Sequence, residues 1–247
     1  MVVSPFSLVG KKILVTGASS GFGSAIAQQC ADFGAELILT ARNKSRLETN
    51  YLKLIGAGHS YHICDLLSDK DLDDFVKILP ALDGVVLCAG MTEILPVKFI
   101  NKKSINNLFQ VNTFSSFLLL QKMLQARLIN QGGSIVFISS ISTHHADIGN
   151  SLYSASKGAI NSFAKVLALE TAKMKIRVNC VEPGFVKTNM LENSPISTED
   201  LKKEESHYPL GFGQPSDVAN GVIYLLSNAS QWVTGSVLTI DGGITLK

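Results

Sequence analysis

The chain has 247 residues, of which 46% are hydrophobic and 17% are charged, and its formal net charge is +2. This length allows one large domain or two small ones, and the low charged fraction indicates extensive buried surface that includes contacts between subunits. No run of five like charges occurs, so we expect neither a nucleic-acid partner nor a basic membrane-binding patch. No stretch has the roughly 18 consecutive apolar residues of a spanning helix, and residues 1–8 do not resemble a signal peptide. We therefore expect a cytoplasmic protein.

Seven short, mostly apolar runs predict β-strands, and the intervals between them carry helical patterns. Apolar runs without alternation are typical of strands that are covered on both faces. The sequence therefore predicts an α/β fold: a Rossmann-like, doubly wound, parallel seven-stranded sheet with helices on both faces, formed by a single domain over residues 1–247. The predicted strands are residues 13–15, 36–40, 61–64, 84–88, 134–139, 176–181 and 237–240.

The turn after the first predicted strand is rich in glycine, with Gly17, Gly21 and Gly23 leading into a helix. Glycine permits a tight turn and close approach of the backbone, and the exposed NH groups at the start of a helix favour a pyrophosphate. We therefore predict that residues 16–23 bind a dinucleotide. The alternative is a glycine-rich helix start that binds no ligand.

The ends of the second and third predicted strands bear on the choice of cofactor. An acid at the end of the second strand would bind the ribose hydroxyls of NAD and repel a 2′-phosphate, whereas this chain has Arg42 there. A guanidinium suits a phosphate, so NADP(H) is predicted in preference to NAD(H); the alternative is a solvated loop arginine. Asp65 is predicted either to accept a hydrogen bond from the adenine amino group or to cap the following helix.

The four cysteines, Cys30, Cys64, Cys88 and Cys180, lie far apart and form no CxxC pair. We expect small buried hydrophobic side chains in a reducing compartment rather than a disulfide or a metal site.

Residues 188–214 form the only long irregular stretch in the pattern, with several prolines and glycines around a short polar segment. A long loop in a compact domain is often functional, so we predict a substrate lid within the single domain.

Tyr153 and Lys157 lie one helical turn apart. The same helix face continues through the apolar residues Ile160, Ala164 and Leu167. The lysine is therefore predicted to point inward, where its ammonium group would lower the pKa of the neighbouring phenol and allow proton exchange near neutral pH. The alternative is a surface pair at chance spacing. Together with the glycine-rich turn, the pair indicates a nicotinamide-dependent carbonyl reductase.

These motifs together resemble the short-chain dehydrogenase/reductase family over almost the whole chain. They are the Thr-Gly-x-x-x-Gly-x-Gly turn at 16–23, Asn112 in a long predicted helix, Ser140 thirteen residues before Tyr153, the Tyr-x-x-x-Lys pair at 153–157, and Pro183-Gly184 with Thr188. The resemblance implies that Tyr153 is the general acid for carbonyl reduction and that Lys157 lowers its pKa and holds the nicotinamide ribose. It also implies that Ser140 hydrogen-bonds the substrate oxygen and that Asn112 anchors a water linked to Lys157. No metal is required.

The glycine turn, the strand ends and the resemblance give the residues predicted to bind the cofactor. They are Gly17, Ser19, Ser20, Gly21, Phe22, Gly23, Arg42, Asp65, Leu66, Ala89, Gly90, Tyr153, Lys157, Pro183, Gly184, Val186 and Thr188.

Asn112 also stands out from the residues around it. Ile105, Leu108 and Phe109 predict an inward-facing stripe, and position 112 falls on the same stripe seven residues after 105. A buried amide needs hydrogen-bond partners, so the alternative to the family role is a satisfied core asparagine.

One segment departs from the family pattern. Many relatives have Asn-Asn-Ala-Gly after the fourth strand, where this chain has Leu87-Cys88-Ala89-Gly90. We expect the backbone turn to persist. Loss of the asparagine side-chain bonds is expected to loosen the central sheet without abolishing cofactor binding.

His144 and His145 lie between Ser140 and Tyr153, close to the expected mouth of the pocket. They are predicted either to line the substrate pocket or to lie in an exposed loop. The spacing of other residues suggests no further metal ligands, so we expect no metal.

Two segments bear on the choice of substrate. Residues 178–184 and 233–243 look most like the 3-oxoacyl-[acyl-carrier-protein] reductases, which implies a small-molecule or acyl-thioester carbonyl as substrate. Lys173 and Lys175 offer some charge to an acidic carrier protein. The alternatives are a hydroxysteroid, sugar or secondary-alcohol dehydrogenase, and a catalytically silent NADPH-binding protein. The resemblance further implies a homotetramer, with a dimer as second choice, paired through helices around 105–129 and 152–172.

Overall fold

The computed structural model describes residues 4–187 and 197–246. Its core is one seven-stranded sheet in the order β3-β2-β1-β4-β5-β6-β7, and every neighbouring pair is parallel. The strand order reverses between β1 and β4, the place where such sheets bind ligands. The fold prediction is therefore confirmed. The strands are β1 (Lys12–Thr16), β2 (Glu36–Ala41), β3 (Ser60–Ile63), β4 (Leu82–Leu87), β5 (Ile129–Ile138), β6 (Arg177–Pro183) and β7 (Val237–Ile240).

Helices cover both faces of the sheet because successive strand residues point to opposite sides. Ile13 and Val15 pack towards one helical layer, whereas Leu14 between them packs towards the other. The first layer contains α1, α2 and α8, and the second contains α3, α5 and α6. The helices are α1 (Gly21–Asp32), α2 (Lys44–Tyr51), α3 (Asp69–Ile78), α4 (Lys102–Phe109), α5 (Ser115–Gln125), α6 (Ser151–Thr171), α7 (Thr198–Glu205) and α8 (Pro215–Leu226).

The predicted helix around Asn112 contains an irregularity. A π-helical segment, Gln110–Phe114, joins α4 to α5. The stripe prediction was wrong for Ile105, which is 39% exposed, although Leu108 and Asn112 are buried. The wider π turn inserts an extra residue and rotates the helix, so residues seven apart no longer share a face.

The stretch predicted to be irregular contains α7. Ser197 begins this helix by accepting a hydrogen bond from the backbone NH of Asp200, and two acidic residues lie in its first turn, where they favour the helix dipole. The prediction of an irregular stretch was therefore wrong at 198–205. Residues 188–196 lie outside the described residues.

The four cysteines are free thiols. Cys30, Cys64 and Cys180 are buried, whereas Cys88 is partly exposed. Within residues 4–187 and 197–246, no helix is both long and apolar enough to cross a bilayer.

Candidate active site

The glycine-rich turn is packed tightly on one side and open on the other. A Cβ on Gly17 would lie 2.9 Å from the Cα of Ala89, and one on Gly23 would lie 2.4 Å from the carbonyl oxygen of Gly17. Gly21, by contrast, has φ +53° and nothing within 4 Å of its Cβ position. Ser20 precedes α1 without a side-chain cap, and the first turn contains no acid. The start of α1 therefore offers backbone NH groups to an anion, which fits a dinucleotide pyrophosphate.

Thr16 joins this turn to the turn that follows β4. Its hydroxyl oxygen accepts from the backbone NH groups of Cys88 and Ala89, at 3.0 and 3.2 Å. Both bonds are made within the segment Leu87-Cys88-Ala89-Gly90, in which the family pattern has asparagines. The expected loosening after β4 is therefore opposed by a threonine on the neighbouring strand.

Replacing Thr16 with valine keeps the side-chain shape but removes the acceptor of two NH groups. We expect Thr16→Val to lower the free energy of unfolding by about 1–3 kcal/mol, measured by urea denaturation. Thr40 is the matched control, because it pairs with Thr16 in register, is equally buried, and its hydroxyl has no partner among the described residues. Thr40→Val should be neutral or stabilising, and an equal loss in both variants would contradict this account.

Asn50 also supports the glycine turn, although sequence reasoning missed it. Its buried side-chain amide donates to the carbonyl oxygen of Ala18 at 2.9 Å. An asparagine inside a helix, on the face that carries buried Leu47, was the only available sign. The contact spans 32 residues of sequence, so spacing alone could not pair the two.

The residues predicted to select the cofactor lie at neighbouring strand ends. Arg42 follows β2 directly and is exposed. Asp65 follows β3, and one of its carboxylate oxygens accepts from the backbone NH of Leu67 at 3.1 Å. The helix after Asp65 is capped by Ser68 instead. The capping alternative for Asp65 is therefore wrong, since its side chain shapes the turn before the helix.

Lys157 points inward, as its spacing predicted. It is 5% exposed, and its ammonium group donates to the carbonyl oxygen of Ile138 at 2.8 Å. Burial lowers the pKa of Lys157 from 10.5 to about 8. The Nζ atom lies 5.8 Å from the centre of the Tyr153 ring, which places the two groups together at the end of β5.

The pKa of Tyr153 is shifted in the opposite direction to the prediction. Burial raises it above its usual value, and a hydrogen bond with the Ser140 side chain opposes that shift only in part. The cost of placing a phenolate in a dry site therefore outweighs the stabilising groups on the chain itself. The tyrosine therefore holds its proton at neutral pH.

Ser140 lies directly beyond β5 and begins a short 3₁₀ turn, Ile141–Thr143. Its hydroxyl oxygen accepts from the backbone NH of Ser142 at 3.2 Å. Its contact with Tyr153 brings together the two hydroxyls that the motif spacing separates by thirteen residues.

Asn112 is satisfied by the chain itself. Its carbonyl oxygen accepts from the backbone NH of Met91 at 2.8 Å, and its amide donates to the carbonyl oxygen of Met91 at 2.9 Å and to the Ser156 hydroxyl at 3.2 Å. A Cβ at Gly90 would lie 3.4 Å from the Asn112 oxygen and 3.5 Å from the Lys157 nitrogen, so both face the turn after β4. Ser156, which the sequence reasoning missed, ties α6 to the π-helical segment.

The end of β6 adjoins the end of β7. The NH of Gly184 donates to the carbonyl oxygen of Ile240 at 2.9 Å, and a Cβ on Gly184 would lie 2.9 Å from the Cα of Asp241. Val186 is buried and bridges to Gly213. Thr188, also predicted to bind cofactor, lies outside the described residues.

A cavity of about 590 Å³ lies beside Ser140. Ser142 in its wall donates its backbone NH to the Ser140 hydroxyl, and Ser154 in its wall follows Tyr153 in α6. Val97 and Ile148 supply apolar surface. His144 also lines the cavity, whereas His145 does not. The structure therefore places the first histidine, and not the second, in the wall of this cavity.

Lys173 and Lys175 do not flank this cavity. They lie between the end of α6 and the start of β6, whereas the cavity lies at the start of α6. A helix of 21 residues spans about 30 Å, so the two lysines occupy the opposite edge of the sheet. The suggestion that they offer charge beside the substrate was wrong.

Comparisons with known proteins identify the family of the chain. Residues 17–245 match the family model described as enoyl-(acyl carrier protein) reductase. The chain is 36% identical over 244 residues to the human 3-oxoacyl-[acyl-carrier-protein] reductase, covering 96% of this chain and 98% of the relative. It is 31% identical over 242 residues to the Rickettsia felis protein of the same name, covering 97% and 98%. A solved dehydrogenase/reductase from Sinorhizobium meliloti 1021 has a TM-score of 0.88 at 30% identity, with 97% of each chain covered. The chain belongs to the short-chain dehydrogenase/reductase family of nicotinamide-dependent oxidoreductases.

Proposed function

We propose that the protein is an NADPH-dependent reductase that converts a carbonyl into a secondary alcohol, reversibly, and that its substrates are 3-oxoacyl thioesters. The observation that carries the reaction class is the cluster of Tyr153, Ser140 and Lys157 at the end of β5, with the lysine buried beside the tyrosine ring. The substrate class is supported by the names of the human and Rickettsia felis relatives.

The catalytic residues have separate roles in this proposal. Tyr153 gives its proton to the oxygen of the carbonyl as that oxygen gains charge, and Ser140 donates a hydrogen bond to the same oxygen. Lys157 holds the nicotinamide ribose, and Asn112 fixes the turn after β4 on which the reacting groups meet. When bound, the cofactor supplies a hydride.

The cofactor is held by the glycine turn and the neighbouring strand ends. The turn at the start of α1 accommodates the pyrophosphate, because Gly21 is open and Ser20 leaves the helix start uncapped. Arg42 binds the 2′-phosphate and Asp65 with Leu66 borders the adenine. The remaining contacts come from Ser19, Phe22, Ala89, Gly90, Pro183, Gly184, Val186 and Thr188.

The test is an assay of NADPH oxidation with a panel of carbonyl compounds. We expect turnover of acetoacetyl thioesters at rates well above those of a ketosteroid or a keto sugar. A steroid or sugar preference would replace the substrate class but retain the reaction. Absence of turnover with every compound would favour a silent NADPH-binding protein.

Arg42→Ala tests the choice of cofactor. A charged hydrogen bond to phosphate contributes about 1.5–3 kcal/mol, so the Michaelis constant for NADPH should rise by roughly 10- to 100-fold while that for NADH is unchanged. The exposed Lys53, just beyond α2, provides the control, and Lys53→Ala should alter neither constant. An unchanged preference for NADPH in Arg42→Ala would refute the assignment.

The proposal extends to assembly and location. Exposed apolar residues on α5 and α6, among them Leu118, Val166 and Leu169, support a homotetramer, with a dimer as second choice. Buried free thiols accord with a cytoplasmic protein.

The described part of the segment 188–214 packs Tyr208 and Phe212 against Ile141 beside the catalytic serine, which supports its role as a substrate lid.

A further inference from the structure

Glu182 is a buried acid that the proposed reaction does not use. It lies in β6, and its side chain is 3% exposed. One carboxylate oxygen accepts from the Thr143 hydroxyl and from the Asn161 amide, and the other faces His144 Nδ1 at 3.3 Å. All three neighbours can donate hydrogen bonds to the carboxylate.

The position of Glu182 fixes the tautomer of the neighbouring ring. Because Nδ1 of His144 faces a carboxylate oxygen, the hydrogen lies on Nδ1. Among the described residues, His144 is the only basic side chain within 4.0 Å of the Glu182 carboxylate.

His144 extends from this buried anchor to the cavity. Its side chain is 45% exposed and lines the cavity next to the catalytic group. Nε2 lies on the far side of the ring from Nδ1, and in the imidazolium it carries a hydrogen. Only the 3₁₀ turn Ile141–Thr143 separates His144 from Ser140, so the ring stands close to the serine that binds the reacting oxygen.

We propose, resting on the function proposed above, that His144 in its imidazolium form binds a second oxygen of the substrate through Nε2 and that Glu182 positions it. A substrate that carries one carbonyl at the catalytic group and a further acceptor oxygen nearby would engage both sites. A thioester carbonyl and a carboxylate share this chemistry. His144 is thus a specificity-determining residue, and Glu182 acts through it.

Three substrates with related carbon chains separate the sources of the second oxygen. Acetoacetyl-N-acetylcysteamine carries a thioester carbonyl, acetoacetate carries a carboxylate, and 2-pentanone carries neither. We expect the wild-type protein to have a kcat/KM for at least one of the first two that is at least tenfold above that for 2-pentanone. The substrate with the larger preference identifies which oxygen the site takes.

Two substitutions at His144 test the outer donor. Phenylalanine retains a ring without a donor, whereas glutamine retains an NH group near the position of Nε2. His144→Phe should raise KM for the preferred substrate roughly tenfold, with kcat little changed and 2-pentanone unaffected. His144→Gln should restore most of the loss for a thioester and less for a carboxylate. Glu182→Gln should give a smaller rise in KM for the same substrate.

His145→Phe is the matched control, because His145 is adjacent but does not line the cavity, and it should behave as wild type. NADPH affinity, followed by fluorescence, should be the same in all variants. An equal loss with all three substrates, or a wild-type protein that does not prefer a second oxygen, would overturn this inference alone. Absence of turnover of every carbonyl compound by the wild type would overturn the proposed function and this inference with it.

Discussion

Tyr153→Phe should abolish most turnover and leave cofactor binding intact. The substitution removes one hydroxyl, and with it the proton donor of the proposed reaction. General acid catalysis is worth about 10²- to 10⁴-fold, so kcat for carbonyl reduction should fall within that range. NADPH oxidation gives the rate, and quenching or enhancement of NADPH fluorescence gives the affinity, which should change by less than about twofold.

The control for this variant is a tyrosine outside the site. Tyr224 lies in α8 and packs against Phe6, so Tyr224→Phe removes the same atom without touching the catalytic group. Its kcat should equal that of the wild type. If Tyr153→Phe reduced carbonyls at a near-normal rate, Tyr153 would lose its role as the acid. If it lost NADPH binding together with turnover, the hydroxyl would be acting on the cofactor instead.

The raised pKa of Tyr153 shows where sequence reasoning about the site stops. The spacing of Tyr153 and Lys157 was enough to predict that the lysine points inward, because helix periodicity is a local property. The direction of the tyrosine pKa depends on how much water the rest of the fold removes, which no local pattern contains. The Tyr-x-x-x-Lys motif therefore identified the two residues, whereas only the folded structure shows that the pKa of Tyr153 is raised.

The fold was more accessible to sequence reasoning than the details within it. Parallel strands that are covered on both faces need continuous apolar residues, so the strands could be recognised as apolar runs in the sequence. The π-helical segment at Gln110–Phe114 has no such signature, and it places the exposed Ile105 and the buried Asn112 on different faces. Glu182, an acid in a wholly buried strand, was a visible sign of a polar network, but its partners are 21 and 39 residues away in sequence.

Lys157→Met should make the protein more stable while removing activity. Burial lowers the lysine pKa from 10.5 to about 8. At neutral pH both the folded and the unfolded chain hold the proton, so the folded state bears the full cost of the buried charge, about 3 kcal/mol from the shift. Methionine has a similar unbranched length and no charge. It leaves the carbonyl of Ile138 without this donor, which costs about 1 kcal/mol, so the expected gain at pH 7 is about 2 kcal/mol.

The pH dependence separates this effect from ordinary core packing. As pH rises above 8, folded Lys157 releases its proton while the unfolded chain keeps it until about 10.5, so the wild type recovers stability. The cost of the buried charge should fall to about half by pH 9.5, and the advantage of Lys157→Met should shrink towards zero. Urea denaturation at the two pH values measures this difference. The exposed Lys165, on the same helix, is the control, and Lys165→Met should show no such trend. A gain in unfolding free energy that stays constant with pH would mean that methionine stabilises by packing alone. A gain that shrinks with pH, together with lost turnover, would show that the site keeps a destabilising cation because the reaction requires it.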